Sequence, residues 1–293
     1  PSRPHPSENR EMTMTNGSRV WFVTGASRGI GRAIVEAAVA RGDQVVAVVR
    51  SADAARSITE SSNGNALAAV ADVTRPDDVR SAVDQARRAF GGIDVLVNNA
   101  GYTLLGGVEE AADDQIRQQF ETNVFGLIDV TRAVLPLLRR SAQGFIVTIS
   151  SVAGVSASAG FAYYAASKHA VEGFAEALAK EIAPLGIRLT IVEPGSFRTD
   201  ALGSSMISAA PDDTYADSVG RFRDLIGSLH GNQPGDPHNL AAQVLRLVDE
   251  PEPPLHLPMD PGATQPIGSK LQQQLAELHE WAPRYSASPA VIP

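Results

Sequence analysis

The chain has 293 residues, 43% of them apolar and 20% charged, and a formal net charge of −8. This balance suits a globular domain with a full core and argues against nucleic acid or an anionic membrane as the main partner. There is no cysteine, which excludes disulfides, thiolate–zinc sites and thiol nucleophiles.

Residues 1–18 are polar, lack the apolar stretch of a signal peptide and read as a disordered leader, with Met12 or Met14 as a candidate start. No apolar run approaches the ~18 residues of a membrane span, so no membrane partner and a cytoplasmic location are expected. The six histidines show no His-Glu-x-x-His spacing, and no metal site is expected.

Val20–Thr24 is a short buried-type strand. It runs into Gly25-Ala26-Ser27-Arg28-Gly29-Ile30-Gly31, and a helical pattern follows through Arg41. In this strand–turn–helix context the glycines let the backbone approach a phosphate, and the helix N-terminus supplies N–H donors. Gln44–Val49 is a second strand and ends at Arg50 instead of an acid. An acid there would bind a ribose 2′-hydroxyl, whereas Arg50, joined by Arg28, suits a 2′-phosphate. Asp53 is expected to start the next helix.

Ala66–Ala71 is a third strand, followed by Asp72-Val73. Asp77 and Asp78, after Pro76, begin a helix to Phe90 that Gly91-Gly92 closes. Ile93–Val97 is a fourth strand ending at Asn98-Asn99-Ala100-Gly101. Strands alternating with helices predict a parallel, doubly wound α/β sheet that binds ligands at the carboxyl ends of its strands. One long helix is expected from Asp113 to about Arg140, with Asn123 buried among Phe120, Val124 and Phe125. Gly144–Ile149 is a fifth strand ending at Ser150-Ser151, and Ile187–Val192 a sixth ending at Glu193-Pro194-Gly195, with Thr199 soon after.

The helix predicted from Phe161 to Pro184 holds Tyr163-Tyr164-Ala165-Ala166-Ser167-Lys168. Tyr164 and Lys168 are four apart and share a face. An ammonium beside a phenol favours phenolate, so a lowered Tyr164 pKa is expected. Residues 200–235 break the rhythm and read as a lid or substrate loop. Pro237–Glu250 reads as a helix, Leu255–Pro258 as a short seventh strand, and residues 263–293 as a C-terminal extension with a helix over Lys270–Trp281 and a loose end. No internal repeat and no second domain are seen.

As a set, Thr24-Gly25-x3-Gly29-x-Gly31, Asn98-Asn99-Ala100-Gly101, Asn123, Ser151, Tyr164-x-x-x-Lys168 and Pro194-Gly195 with Thr199 resemble the classical short-chain dehydrogenase/reductase family. The resemblance covers about residues 18–260. It implies a single-domain Rossmann fold over 19–262, with seven parallel strands and helices on both faces. It also implies roles. Tyr164 would be general acid in reduction and base in the reverse direction, and Ser151, preferred by spacing over Ser150, would hold the carbonyl oxygen. Lys168 would bind the nicotinamide ribose and lower the Tyr164 pKa, and Asn123 would support a water in a proton relay. Gly25, Gly29 and Gly31 would face the pyrophosphate, with Ser27 and Ile30 beside them, and Asp72 and Val73 the adenine, while Arg28 would reach the 2′-phosphate. Asn98, Ala100 and Gly101 would line the ribose side, with Pro194, Gly195 and Thr199 at the carboxamide. Arg28 and Arg50 mark the NADP(H)-preferring type over NAD(H).

The expected activity is therefore NADPH-dependent reduction of a carbonyl, or oxidation of a secondary alcohol, on a small molecule. The alternatives are epimerisation or dehydration on the same fold, or an NADP-binding sensor without turnover. The expected substrate walls, Tyr102, Leu104, Val152, Tyr163, Phe197 and residues 200–235, are mostly apolar and carry no cationic clamp, which favours a neutral, hydrophobic ketone. A homo-oligomer, dimer or tetramer, is expected. Met259-Asp260-Pro261-Gly262 departs from the family's tetramer-packing loop and puts that contact in doubt.

Overall fold

Seven apolar stretches alternate with amphipathic helices, and a strand covered on both faces has no polar side to show. The computed structural model describes residues 18–285. The leader therefore lies, save Ser18, outside the described residues, as do the last eight, 286–293.

In chain order the elements are β1 (Val20–Thr24), α1 (Gly29–Ala40), β2 (Gln44–Val49), α2 (Ala52–Ser61), β3 (Ala66–Val70), α3 (Pro76–Phe90), β4 (Val95–Asn98) and β5 (Leu104–Leu105). Then come α4 (Asp113–Phe120), α5 (Gly126–Leu138), β6 (Phe145–Ile149), α6 (Ala162–Ile182), β7 (Arg188–Pro194) and β8 (Ile207–Ser208). The described chain ends with α7 (Arg221–Leu229), α8 (Pro237–Asp249), β9 (His256–Met259) and α9 (Thr264–Tyr285). Ser51, not Asp53, caps α2, its hydroxyl accepting the Ala54 N–H at 3.2 Å.

The main sheet has seven strands in the order β3-β2-β1-β4-β6-β7-β9, every pairing parallel. The chain winds outward from β1 to β3, then crosses back to β4, so the order reverses between β1 and β4. That reversal opens a crevice at the carboxyl ends of both strands. Alternate residues serve opposite faces. Trp21 and Val23 pack with α1, α2 and α8, whereas Phe22 packs with α3, α5 and α6. Complete burial of Phe22 and Phe145 contributes about 1.5–3 kcal/mol each. This is a single-domain, Rossmann-like α/β fold.

The expected continuous helix over 113–140 is interrupted. A π-helical turn, Glu121–Phe125, separates α4 from α5 and holds Asn123 at its centre. The wider turn rotates Asn123 inward, where its amide bonds Tyr102 and Ser167, and such turns concentrate at functional sites.

Between Thr199 and Gly235 the chain leaves the sheet edge. It forms β8, which pairs in parallel with β5, and then α7. A bridge between Phe197 and Gly235 closes this excursion at its base. At the far end α9 buries Ile267 and leaves Leu271, Leu275, Leu278 and Trp281 exposed. No helix among the described residues is long and apolar enough to cross a membrane.

Candidate active site

The turn after β1 is held against the turn after β4 by side chains that the sequence alone left unassigned. The Thr24 hydroxyl donates to Val97 O (3.2 Å) and accepts the N–H groups of Asn99 and Ala100 (both 3.0 Å). The Asn99 amide donates to Thr24 O (2.9 Å) and Gly25 O (3.1 Å). Gly25 has φ +64° and Gly29 φ +57°, a region L side chains avoid. The N-cap of α1, Arg28, provides no side-chain cap, so the first N–H groups of α1 face the crevice without that partner.

Ser27, Arg28, Gly29 and Ile30 line the resulting cleft of about 800 Å³, with Gly25 beneath them. Gly31 and Asn98 do not line it, which corrects the expectation for both. A Cβ on Gly31 would lie 2.5 Å from both Asn99 Nδ2 and Gly25 O, so this glycine lets α1 close onto the loop. Asn98 turns away from the cleft because neighbouring strand residues face opposite sides, and its amide donates to the buried Thr131 hydroxyl (2.9 Å).

Arg50 stands exposed at one rim, with Asp72 and Val73 also on the lining. Burial by itself would raise the Asp72 carboxyl. Its bonds from the Thr74 N–H (3.0 Å) and hydroxyl (2.8 Å), together with Arg50 and Arg75, bring it below the usual carboxylate range. Tyr102, expected among the substrate walls, belongs to this end instead. Burial raises its phenol, Arg50 pulls the other way, and its buried hydroxyl has no hydrogen-bond partner among the described residues. Arg28 lies 3.9 Å from Asp200, an ion pair between half-exposed groups that contributes little.

At the opposite end stand Tyr164, Lys168 and Ser151. Helix α6 carries Tyr164 and Lys168 one turn apart, and Lys168 Nζ sits 6.0 Å from the Tyr164 ring centre. Lys168 is buried and donates to Ile149 O at 2.9 Å. Burial lowers its pKa to about 8, while the nearby Glu172 charge pulls it back up. The Tyr164 pKa is raised, not lowered. Burial dominates, and side-chain hydrogen bonding with Ser151 and Thr103 opposes it. Lys168 is not among the groups that shift this phenol; the ring has left water, and burial sets the direction.

Ser151, not Ser150, is the hydroxyl at Tyr164, since Ser150 turns toward Glu172. Tyr163 is not a cleft wall. Its hydroxyl donates to Val108 O at 2.8 Å on the outer side of α6. Asn123 is buried beside the cleft rather than on its wall. Its carbonyl oxygen accepts the Tyr102 N–H (3.1 Å), and its amide donates to Tyr102 O (3.0 Å) and Ser167 Oγ (3.2 Å). The side chain thus clamps the strand of chain after Gly101. A Cβ on Gly101 would lie 3.1 Å from Asn123 Oδ1 and 4.0 Å from Lys168 Nζ. Thr103, which the sequence reading passed over, is buried against Tyr164.

Ala100, Gly101, Pro194, Gly195 and Thr199 complete the lining. A Cβ on Gly29 would meet the Thr199 side chain at 3.3 Å, so the glycine turn and the loop after β7 nearly touch across the cleft. Val152 and Phe197 line the cleft as expected, whereas Leu104 lies in the core. Leu202, Phe222 and Ile226, all within the expected 200–235 wall, line the cleft with apolar groups; Phe161, just before α6, joins them and was not foreseen, because it lies 41 to 65 residues from them in sequence. A glycine cradle over an uncapped helix N-terminus, with an arginine and an unpartnered phenol at one end, fits a dinucleotide.

Comparison with known proteins finds relatives in both sequence and fold. A family model described as short chain dehydrogenase matches residues 19–207. The chain is 37% identical over 265 residues to the oxidoreductase BOA17 of Botryotinia fuckeliana, covering 90% of this chain and 97% of that protein. It is 33% identical over 267 residues to a 3-ketodihydrosphingosine reductase of Bacteroides thetaiotaomicron, covering 90% and 93%. A solved short-chain dehydrogenase from Streptomyces avermitilis superposes with a TM-score of 0.87 at 39% identity, covering 93% of this chain and all of that one.

Proposed function

Because the chain belongs to the short-chain dehydrogenase family, oxidoreductases acting on CH–OH or carbonyl groups, we propose that it is an NADPH-dependent carbonyl reductase. Its substrate is a neutral, hydrophobic ketone, interconverted with the secondary alcohol. The carrying observation is the meeting of Tyr164 with the Ser151 hydroxyl and the Lys168 ammonium where the cleft turns apolar. The similarity to a protein named for reducing a keto group points the same way.

The nicotinamide cofactor, when bound, supplies the hydride. Gly25, Ser27, Gly29 and Ile30 would take its pyrophosphate, Arg50 its 2′-phosphate, and Thr199 its carboxamide. Ser151 holds the carbonyl oxygen as charge gathers on it. Tyr164, protonated at neutral pH and its pKa raised further by burial, passes its proton to that oxygen. Lys168, still charged at neutral pH, holds the ribose and stands ready to steady the phenolate left behind. Asn123 fixes the backbone at Tyr102 and thereby the floor of the cleft. The excursion over 200–235 acts as a lid and supplies the substrate wall. Copies assemble as a homo-oligomer, for which the exposed apolar face of α9 offers one surface.

NADPH should be consumed with at least one apolar ketone in a broad panel. Silence across the panel, or loss of water from a substrate without NADPH oxidation, would move the assignment to another chemistry. Replacing Arg50 by Ala should raise the NADPH dissociation constant about 10- to 100-fold, the size of a lost charged hydrogen bond, and leave NADH nearly unchanged. Equal losses for both cofactors in a fluorescence titration would take the 2′-phosphate away from Arg50.

A further inference from the structure

One turn beyond Lys168, Glu172 points from α6 into the sheet and is 6% exposed. Glu193 on β7, 1% exposed, faces it, and His256 on β9 closes the group, with one nitrogen or oxygen of each within 4.8 Å of the others. His256 Nδ1 lies 3.0 Å from Glu193 Oε1 and 3.5 Å from Glu172 Oε2, and its Nε2 lies 3.6 Å from Glu176 Oε1. From the end of β6 the Ser150 hydroxyl faces Glu172. A Cβ on Gly154 would come within 2.7 Å of Glu172 Oε1 and 2.6 Å of Ser150 Oγ, so glycine leaves the space these groups occupy. The charged and titratable groups around Glu172 are therefore Lys168 and Glu176 on its own helix, Glu193 on β7 and His256 on β9.

Two buried carboxylates share one ring nitrogen. Both oxygens of Glu172 and Oε2 of Glu193 are buried without a hydrogen-bond partner among the described residues. A single His proton cannot satisfy both acids, so one of them is driven to hold its own proton. Burial pushes Glu172 up to about 7. The Ser150 hydroxyl opposes this, the Glu193 charge adds to it, and His256 and Lys168 oppose it.

We propose that Glu172 is a positioning residue that keeps Lys168 charged across neutral pH, and that Glu193 and His256 set Glu172's own ionisation. The inference rests on reading Lys168 as the cation of the active site. Once ionised, Glu172 supports the buried ammonium; without that charge, burial alone governs Lys168 and its proton is lost at lower pH. His256 is partly exposed and connects this buried pair to solvent. The pH of the medium thus reaches Lys168 from behind the sheet, by a side the substrate does not touch.

The chain has three lysines, Lys168, Lys180 and Lys270, so lysine labelled with 13C at Cε gives three resonances in the full-length protein. Lys168 is identified by its loss in Lys168→Met. It should titrate near pH 8, with a smaller inflection near 7 imposed by Glu172. Glu172→Gln, which keeps the shape of the protonated acid, should erase the inflection and lower the Lys168 midpoint by about one unit or more. The basic limb of the reduction rate should move down with it. Glu193→Gln should shift the inflection to lower pH, and His256→Ala to higher pH. An unmoved Lys168 midpoint in Glu172→Gln, or shifts of one sign in both other variants, would overturn the proposal. Because the resonance is read without turnover, these shifts in a protein that reduces no ketone would sink the reductase reading alone. Ketone reduction with no shifts would sink the coupling alone.

Discussion

Tyr164→Phe is expected to lower the rate of ketone reduction by about 10²- to 10⁴-fold, the usual worth of a positioned general acid. Phenylalanine keeps the ring that packs edge-on against Phe161 at 5.5 Å, so the fold and the apolar wall survive. What goes is the phenol proton, its pKa raised above the ordinary value by burial, together with the side-chain hydrogen bonding to Ser151 and Thr103. NADPH affinity should stay within a few-fold of the parent, because the pyrophosphate cradle and Arg50 lie at the other end of the cleft. Single-turnover stopped-flow on preformed complexes reads the chemical step, and a fluorescence titration reads binding. A variant that reduces the ketone at the parental single-turnover rate would remove Tyr164 from the chemistry.

Gly31→Ala should damage binding of NADPH and NADH alike. The added Cβ would sit 2.5 Å from Gly25 O, a backbone atom, and 2.5 Å from Asn99 Nδ2, which is already bonded to Thr24 O and Gly25 O. Neither neighbour is a free chain end that can swing aside. Overpacking of this kind costs about 1–3 kcal/mol, and the better helix propensity of Ala returns at most about 1. Thermal unfolding should begin several degrees earlier, and both cofactors should bind at least about tenfold more weakly as the loop is pushed off α1. The contrast with Arg50→Ala is in selectivity, one change affecting both cofactors and the other only the phosphorylated one. An unchanged melting temperature with unchanged affinities would show that α1 can retreat without cost.

The sheet was readable because its strands are buried on both sides and appear as apolar runs such as Val20–Thr24 and Gln44–Val49, bounded by glycine or charge. Tyr164, Lys168 and Ser151 were readable because a helical turn and a short loop fix their relation locally. The misreadings come from relations that sequence spacing does not encode. Asn98 and Asn99 are neighbours of identical composition, and only the strand's register decides which one reaches the glycine loop. Gly31 looked like a ligand glycine, yet the atoms it makes room for are Gly25 O at the start of its own turn and Asn99 Nδ2 in the turn after β4. The π-helical turn at Asn123 is a departure of one residue from an otherwise good helical pattern. Glu172, Glu193 and His256 come from three separate elements, and nothing local distinguishes them from surface charges. The direction of the Tyr164 shift was missed because a neighbouring charge is visible in sequence whereas burial is not.

The excursion after Thr199 leaves and rejoins the body at one place. Arg198 N–H donates to Gly235 O (2.7 Å) and Gly235 N–H to Ser196 O (3.0 Å), while the ring of Phe197 fills the space a Cβ on Gly235 would need. The proposed acid, its hydroxyl partner and the phosphate cradle all precede this clasp in the chain. The stretch over 200–234 is thus a cassette entered and left at one point, fastened to the body by the short β5–β8 pair and by the Glu110 carboxylate, which accepts from the Asp212 N–H and from Arg223. Under the proposed assignment, substrate range diverges by exchange of that cassette while the chemistry beneath it is kept. A chimera spliced at the clasp would carry the donor's preference on the recipient's catalyst.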